Sequence, residues 1–426
     1  MELEVREIFI KDVQFGDKIE IMDHILYINK DEIADLLRAD ERIAGVKIDL
    51  ARPGESVRII PVKDVIEPRA KLNGDAFPGI DGKIEAVGSG VTYALKGCSV
   101  ITTGPIVGFQ EGIIDMCGPL AEYTPFAHLN NIVIHIQKKE GLHPHEHEEA
   151  VRIAGIKAAH YIAKKVLNAE YDRANKYFWN HFGDSASDTK ELPRVAYVYL
   201  CMSQGLLHDT YFYGKDTKKI SPSIISPLEV FDGAIVSGNC VSPGSKTTTF
   251  HHQNNAVIRE CFKRHGLEIN FAGIVLNPLM VTLEDKIRNS VFTVKLVEML
   301  GVEGVVISQE GFGNPTTDLM MICERLEKKG IKTVLISNED AGVDGKSESL
   351  PDGTVKADAI VSTGNSNATI KIPPMDKILG DLQAIEHVTG GFVGSIQEDG
   401  GLIIEIHGIM GSHNLQGYSK LSAVTV

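Results

Sequence analysis

Positive charge is what this chain has least of. Its 43 Lys and Arg stand against 57 Asp and Glu, a net charge of −14 over 426 residues. A protein that reads nucleic acid needs a basic footprint to meet the phosphates, so a nucleic-acid partner is not expected. Long apolar runs are missing as well: none approaches the roughly 18 residues that a membrane span requires. The start, Met1 to Arg6, has neither the basic residues nor the apolar core of a secretory signal. Both absences point to a soluble, cytoplasmic protein. The six cysteines, Cys98, Cys117, Cys201, Cys240, Cys261 and Cys323, lie far apart without a CxxC pair. That spacing fits reduced, mostly buried thiols better than a disulfide frame or a zinc ribbon. No tandem repeat or low-complexity segment interrupts the chain.

With 43% hydrophobic residues, the sequence can bury a large core and is long enough for two or three domains. Its character changes along its length. Residues 1–137 read as short alternating segments punctuated by Gly and Pro, with a short helix around Lys30 to Arg38, a mainly antiparallel β pattern. From His145 to about Asn168 the residues Val151, Ala154, Ala158, Ile162 and Val166 recur at helical spacing and predict one amphipathic helix. Glu170 to Leu192, which holds the only tryptophan, Trp179, reads as an irregular excursion. Strand-like runs return at Val195 to Met202 and Gly233 to Val236, closing a mixed region over 138–239.

Beyond residue 240 apolar strands alternate with helices. Strands are predicted at Ala272 to Leu276, Gly304 to Ser308, Thr333 to Ser337 and Ala359 to Ser362, and helices at Glu284 to Leu300 and Thr316 to Lys329. Continuous apolar strands separated by amphipathic helices indicate a parallel sheet covered on both faces. The expected fold is therefore α/β, α+β overall: a mainly β N-terminal region with a long helix, then a doubly wound parallel α/β domain over 240–426.

The junction Gly238-Asn239-Cys240 carries the most chemistry. The Cys240 thiol can attack the Asn239 carbonyl and move the acyl group from nitrogen to sulfur, and Gly238 supplies the backbone freedom for the approach. Loss of sulfur then leaves a dehydroalanine that hydrolyses to a pyruvoyl group at a new N-terminus, a ketone able to capture amines as Schiff bases. The same residues also suit a surface turn, since Gly-Asn before Ser-Pro-Gly is ordinary turn composition and Cys240 ends an apolar run. An Asn-Cys pair closes intein C-termini too, but Gly238 stands where inteins have His.

Other candidates surround this one in the sequence. His251 and His252 follow Cys240 closely enough to supply a general base or acid, or they form a polar strand end. The loop Ser308 to Pro315 leaves a strand and enters a helix, where open α/β sheets gather ligands. Within it Glu310, Gly311 and Gly313 form a candidate substrate wall, the glycines giving close backbone approach and the helix N-terminus favouring a carboxylate. The alternative is a turn that needs Gly311 and Gly313 for backbone angles alone, with Pro315 starting the helix. The loop fails the dinucleotide fingerprint, so NAD is not expected. His143, His145 and His147 alternate with carboxylates in a zinc-like manner. Pro144 and acids at a helix start serve the helix dipole equally, and no metal is expected.

Six stretches resemble a known family: Ile8 to Gly16, Ala51 to Arg69, Gly108 to Met116, Ser203 to Tyr211, Gly238 to Gly244 and Ser308 to Pro315. Together they make the chain similar to the precursor of the pyruvoyl-containing subunit of component B of glycine/sarcosine/betaine reductase. The resemblance implies cutting between Asn239 and Cys240, with Cys240 becoming the covalent pyruvoyl cofactor and pyridoxal phosphate playing no part. It implies reductive deamination of glycine, sarcosine or betaine, in which the amine of glycine or sarcosine is captured as a Schiff base, a route closed to the quaternary nitrogen of betaine. The implied partners are a selenocysteine-containing subunit of component B, a small selenoprotein A and a component C that forms acetyl phosphate. The contrasting readings are a non-catalytic scaffold subunit of the same complex, a D-proline reductase-like pyruvoyl enzyme and a pyruvoyl-dependent decarboxylase.

Overall fold

A computed structural model describes residues 1–179, 191–205, 210–238 and 241–416. Its main α/β sheet has six strands in the order Ser223–Ile225, Asn270–Pro278, Arg194–Cys201, Gly304–Ser308, Lys332–Glu339 and Ile360–Asn365. All pair in parallel except the first, which is an antiparallel edge. Arg194–Cys201 shows why the apolar run signalled a doubly covered sheet. Ala196, Val198 and Leu200 pack with Val294, Val297 and Leu319 on one face, whereas Tyr197, Tyr199 and Cys201 pack with Leu228, Phe231 and Ile258 on the other. Both faces exclude water, so no polar alternation is needed. The helices that cover this sheet include Leu283–Met299 and Asn314–Glu327, within two residues of their predicted limits.

A second six-stranded sheet runs in the order Gly112–Asp115, Val57–Ile66, Cys98–Thr103, Asn130–Lys138 and Ile43–Ala51, with Lys377–Gly380 also paired to Val57–Ile66. The expected antiparallel character holds for most pairs. Cys98–Thr103 nevertheless runs parallel to Asn130–Lys138, as Glu2–Phe9 does to Gly90–Lys96 in a neighbouring four-stranded sheet. Helix Pro144–Lys165 crosses this region with Val151, Ala154, Ala158 and Ile162 buried, as their spacing predicts. It approaches closely because its inner face is small. A Cβ on Gly155 would lie 2.5 Å from Thr102 Cγ2 and 2.9 Å from Ile66 Cδ1.

Two local expectations are corrected. Within the stretch read as irregular, Arg173–Phe178 is a strand at a sheet edge, antiparallel to Glu2–Phe9. Its exposed positions mix Ala174, Lys176 and Phe178, so the apolar alternation that marks a half-buried strand is weak. His251 and His252 lie in a short helix, Thr249–Gln253, rather than at a strand end. Four of that helix's five residues are buried, which removes the amphipathic period that would have revealed it.

Sheets are shared between sequence regions on either side of residue 240. Arg194–Cys201 lies between Asn270–Pro278 and Gly304–Ser308, and Lys377–Gly380 joins Val57–Ile66. A buried ion pair strengthens the second junction. Arg58 and Asp115 are fully buried and meet through two bonds of 2.7 Å, while Arg58 Nη2 also donates to the Pro373 carbonyl at 2.9 Å. Removing one member would strand a charge without water, which costs about 3–5 kcal/mol. Asp115→Ala is expected to lower unfolding stability in urea by that amount, and a loss below about 1 kcal/mol would refute this account.

Candidate functional site

The strand Ile235–Ser237 brings the chain to Gly238, pairing antiparallel with Thr210–Phe212 so that Ser237 faces Thr210. Asn239 and Cys240 lie outside the described residues. Their neighbours do not form a surface turn, for Gly238 and Val241 are both buried. The Gly238 carbonyl accepts from Ser237 Oγ at 3.0 Å and from the ammonium of Lys246. Lys246 is itself fully buried. The Ser237 N–H donates to Thr249 Oγ1 at 3.1 Å, and that hydroxyl donates to Asp64 Oδ2 at 2.6 Å. Asp64 also accepts from the Thr249 N–H at 3.0 Å. Burial pushes its carboxyl up to about 6 against the pull of Lys246 and the bonds from Thr249.

Residues after the junction are held by the chain's last described segment. The Gly244 N–H donates to the His407 carbonyl at 2.8 Å, the His413 N–H to the Gly244 carbonyl at 3.1 Å, and Asn414 Nδ2 to the Lys246 carbonyl at 2.8 Å. A side chain at Gly244 has no room, because its Cβ would stand 2.0 Å from His413 Cε1.

Glu310 joins the same cluster from the predicted strand-to-helix loop. It accepts from the Thr247 N–H at 2.8 Å, the Met202 N–H at 3.0 Å and Thr210 Oγ1 at 3.1 Å. Burial pushes its carboxyl up to about 7, opposed by these bonds and by Lys246. Gly311 has φ +77°, and a Cβ there would meet Met202 Cε at 1.9 Å; Gly313, φ +85°, faces open space and is fixed by its backbone angle alone. Pro315 sits in the first turn of the following helix, as the turn reading expects.

The two histidines are brought near but engaged elsewhere. His251 Nδ1 lies 2.9 Å from Thr248 Oγ1 in the helix cap, and its ring packs edge-on against Phe126. His252 Nδ1 lies 2.5 Å from the Tyr199 hydroxyl, which also accepts from Gln416 Nε2 at 2.7 Å. Burial pushes His251 down to about 3 and His252 well below the usual range, the latter aided by His251 and Lys246. Both are neutral. The alternating histidines lie far along the chain: the His143 N–H donates to Glu146 at 2.9 Å in a helix cap, and His147 is buried, its pKa pushed down to about 3 by that burial. Among the described residues no group of three or more His, Cys, Asp or Glu could hold a metal ion.

Sequence reasoning missed Lys246, Asp64, Ser237 and Thr249. A lone lysine in a run of Ser, Gly and Thr was the available signal for Lys246, and a charged residue inside the apolar run Val57 to Ile66 was the signal for Asp64.

A family model described as glycine/sarcosine/betaine reductase component B subunits matches residues 1–424. The chain belongs to this family. It is 50% identical to the sarcosine reductase complex component B subunit alpha of Peptoclostridium acidaminophilum, covering 99% of both chains. It is also 50% identical to the glycine reductase complex component B subunits alpha and beta of Acetoanaerobium sticklandii, covering 100% of both. A more distant likeness, 25% identical over 79% of this chain and 54% of the other, is the D-proline reductase proprotein PrdA of Acetoanaerobium sticklandii. No solved structure matches. This component B chain is therefore part of a reductase system, and no helix among its described residues is long and apolar enough to cross a membrane.

The cluster predicts a pH effect. A carboxyl raised from its ordinary 4.5 to about 7 gives stability that is complete below the ordinary value and lost as pH rises through the raised one. The stability of the native chain relative to Glu310→Gln is expected to fall between pH 5 and pH 8, by a few kcal/mol at most, as measured by urea unfolding. A difference independent of pH would contradict the burial of this carboxyl.

Proposed function

We propose that this component B chain cuts itself between Asn239 and Cys240 and serves as the pyruvoyl-bearing subunit in reductive deamination of glycine or its N-methylated relatives. The observation that carries this reading is the burial of both flanks of the junction around a lysine-held Gly238 carbonyl. A turn with no chemical role has no need of a buried ammonium, whose desolvation is costly.

In the cutting step Cys240 Sγ bonds to the Asn239 carbonyl carbon, the carbon–nitrogen bond breaks, and the nitrogen keeps the proton released by the thiol. Loss of the Cys240 α-proton and cleavage of its carbon–sulfur bond release a thioacid at Asn239, which water converts to carboxylate and sulfide. A second water replaces the nitrogen of the dehydroalanine, which departs as ammonia, and the pyruvoyl group remains on the fragment 240–426. Lys246 and Ser237 fix the Gly238 carbonyl, so the peptide plane before Asn239 has one orientation. Thr249 and Asp64 hold the Ser237 N–H, and Glu310 holds the turn after the junction through Thr247.

Once formed, a pyruvoyl group supplies an electron-withdrawing ketone that captures an amine and weakens its bond to carbon. The chain's own residues fit such a group: Ser237, Gly238 and Val241 on either side of the junction are buried, with the ammonium of Lys246 bonded to the Gly238 carbonyl. The nucleophile and the steps to acetyl phosphate fall to partners: a selenocysteine-containing component B subunit, selenoprotein A and component C. Names of the relatives include both glycine and sarcosine reductase at equal identity, so a small α-amino carboxylate is the substrate class this reading supports. The strand sharing across residue 240 keeps the two pieces together after cutting.

Intact mass under denaturing conditions tests the reading. The native protein should give two pieces, 1–239 and 240–426, that elute together in native buffer, the second blocked at its start and labelled by phenylhydrazine. Cys240→Ala should remain one chain and Cys240→Ser should still be cut, because a hydroxyl can perform the same acyl shift. A single, carbonyl-free polypeptide in active native material would refute the proposal and favour a scaffold role.

A further inference from the structure

An ammonium carries three donors and no acceptor. Among the described residues Lys246 uses one of them, on the Gly238 carbonyl, although the side chain is fully buried. The nearest carboxyls do not complete its shell. Asp64 is bonded to Thr249, and Glu310 to Met202, Thr247 and Thr210; neither forms an ion pair with the lysine. Their pull is also incomplete, since burial lifts them to about 6 and about 7. His251 and His252 are neutral and cannot balance an incoming anion. A buried cation with two free donors is costly until an anion meets it. Position adds to this. The bond to Gly238 sets the ammonium two residues from the cofactor-bearing position, a Cα separation of at most about 7 Å.

We propose that Lys246 receives the carboxylate of the substrate while its amine is captured at residue 240, an inference that rests on the processed, carbonyl-bearing state argued above. The ligand class is a short α-amino acid with a free carboxylate. An ammonium–carboxylate bond in a dry site gives both affinity and orientation, holding the α-carbon in one place. The newly made Asn239 carboxylate is the competing occupant.

Native protein is first checked for its two pieces and for phenylhydrazine labelling, so failure of the processed state is seen before any amine is added. Glycine or glycinamide is then offered at equal concentration and fixed with borohydride, and the added mass on 240–426 is read. Native protein should prefer glycine by about tenfold or more, the worth of one charge-assisted bond. In whatever fraction of Lys246→Met is cut that preference should be lost, and Lys246→Arg, which keeps the cation, should keep part of it. Should Lys246→Met remain uncut, the native ratio and Lys246→Arg decide. Equal fixing of both amines by native protein, or a preference unchanged in Lys246→Met, overturns the proposal; the first result assigns Lys246 to the Asn239 carboxylate.

Discussion

A single buried ammonium organises the centre of this component B chain. Lys246 cannot be hydrated, so the fold must bring polar groups to it and to the groups it touches. They come from remote parts of the sequence. Asp64 arrives on a strand of the N-terminal sheet, Thr210 and Ser237 on a small antiparallel sheet, Glu310 on a loop of the parallel sheet, and Asn414 at the end of the described chain. Each is tied by a hydrogen bond to another member. The carboxyls of this network are bonded in low dielectric, which favours one arrangement because any other leaves a buried carboxyl without its donors.

That convergence explains the interlocked architecture. The proposed cut at residue 240 would end covalent continuity in the middle of the chain, and the site would have to survive it. Here the strand Arg194–Cys201, before the junction, is hydrogen-bonded on both edges to strands after it, and it buries side chains on both faces. Lys377–Gly380 returns the favour in the other sheet. The proposed cut would therefore sever one connection among many, with hydrophobic burial holding the rest.

The histidines illustrate how burial redirects chemistry. Imidazole is the usual physiological base because its ordinary pKa lies near neutrality. At His251 and His252 desolvation removes the charged form, and hydrogen bonds to Thr248 and Tyr199 fix the rings. They are hydrogen-bonding and packing groups first. The carboxyls of Asp64 and Glu310, raised by the same burial, are the groups of this centre that titrate nearest neutrality.

Sequence alone determined the strands and helices whose periodicity is strong, among them Gly304–Ser308, which matches its predicted span, and the long helix with its buried Val151, Ala154, Ala158 and Ile162. It also determined the family, through long stretches such as Ala51 to Arg69. It singled out Glu310 as a candidate through its loop, though not the partners that hold it there. What only tertiary structure decided is which polar residues meet: Lys246, Asp64, Thr249 and Ser237 carry no periodicity and no spacing rule, since the contacts between them span up to 185 positions. The edge strand Arg173–Phe178 and the buried helix Thr249–Gln253 were hidden for a related reason. Local pattern reports the contrast between a wet face and a dry one, and it falls silent where apolar residues stand on the wet face or where nearly every face is dry.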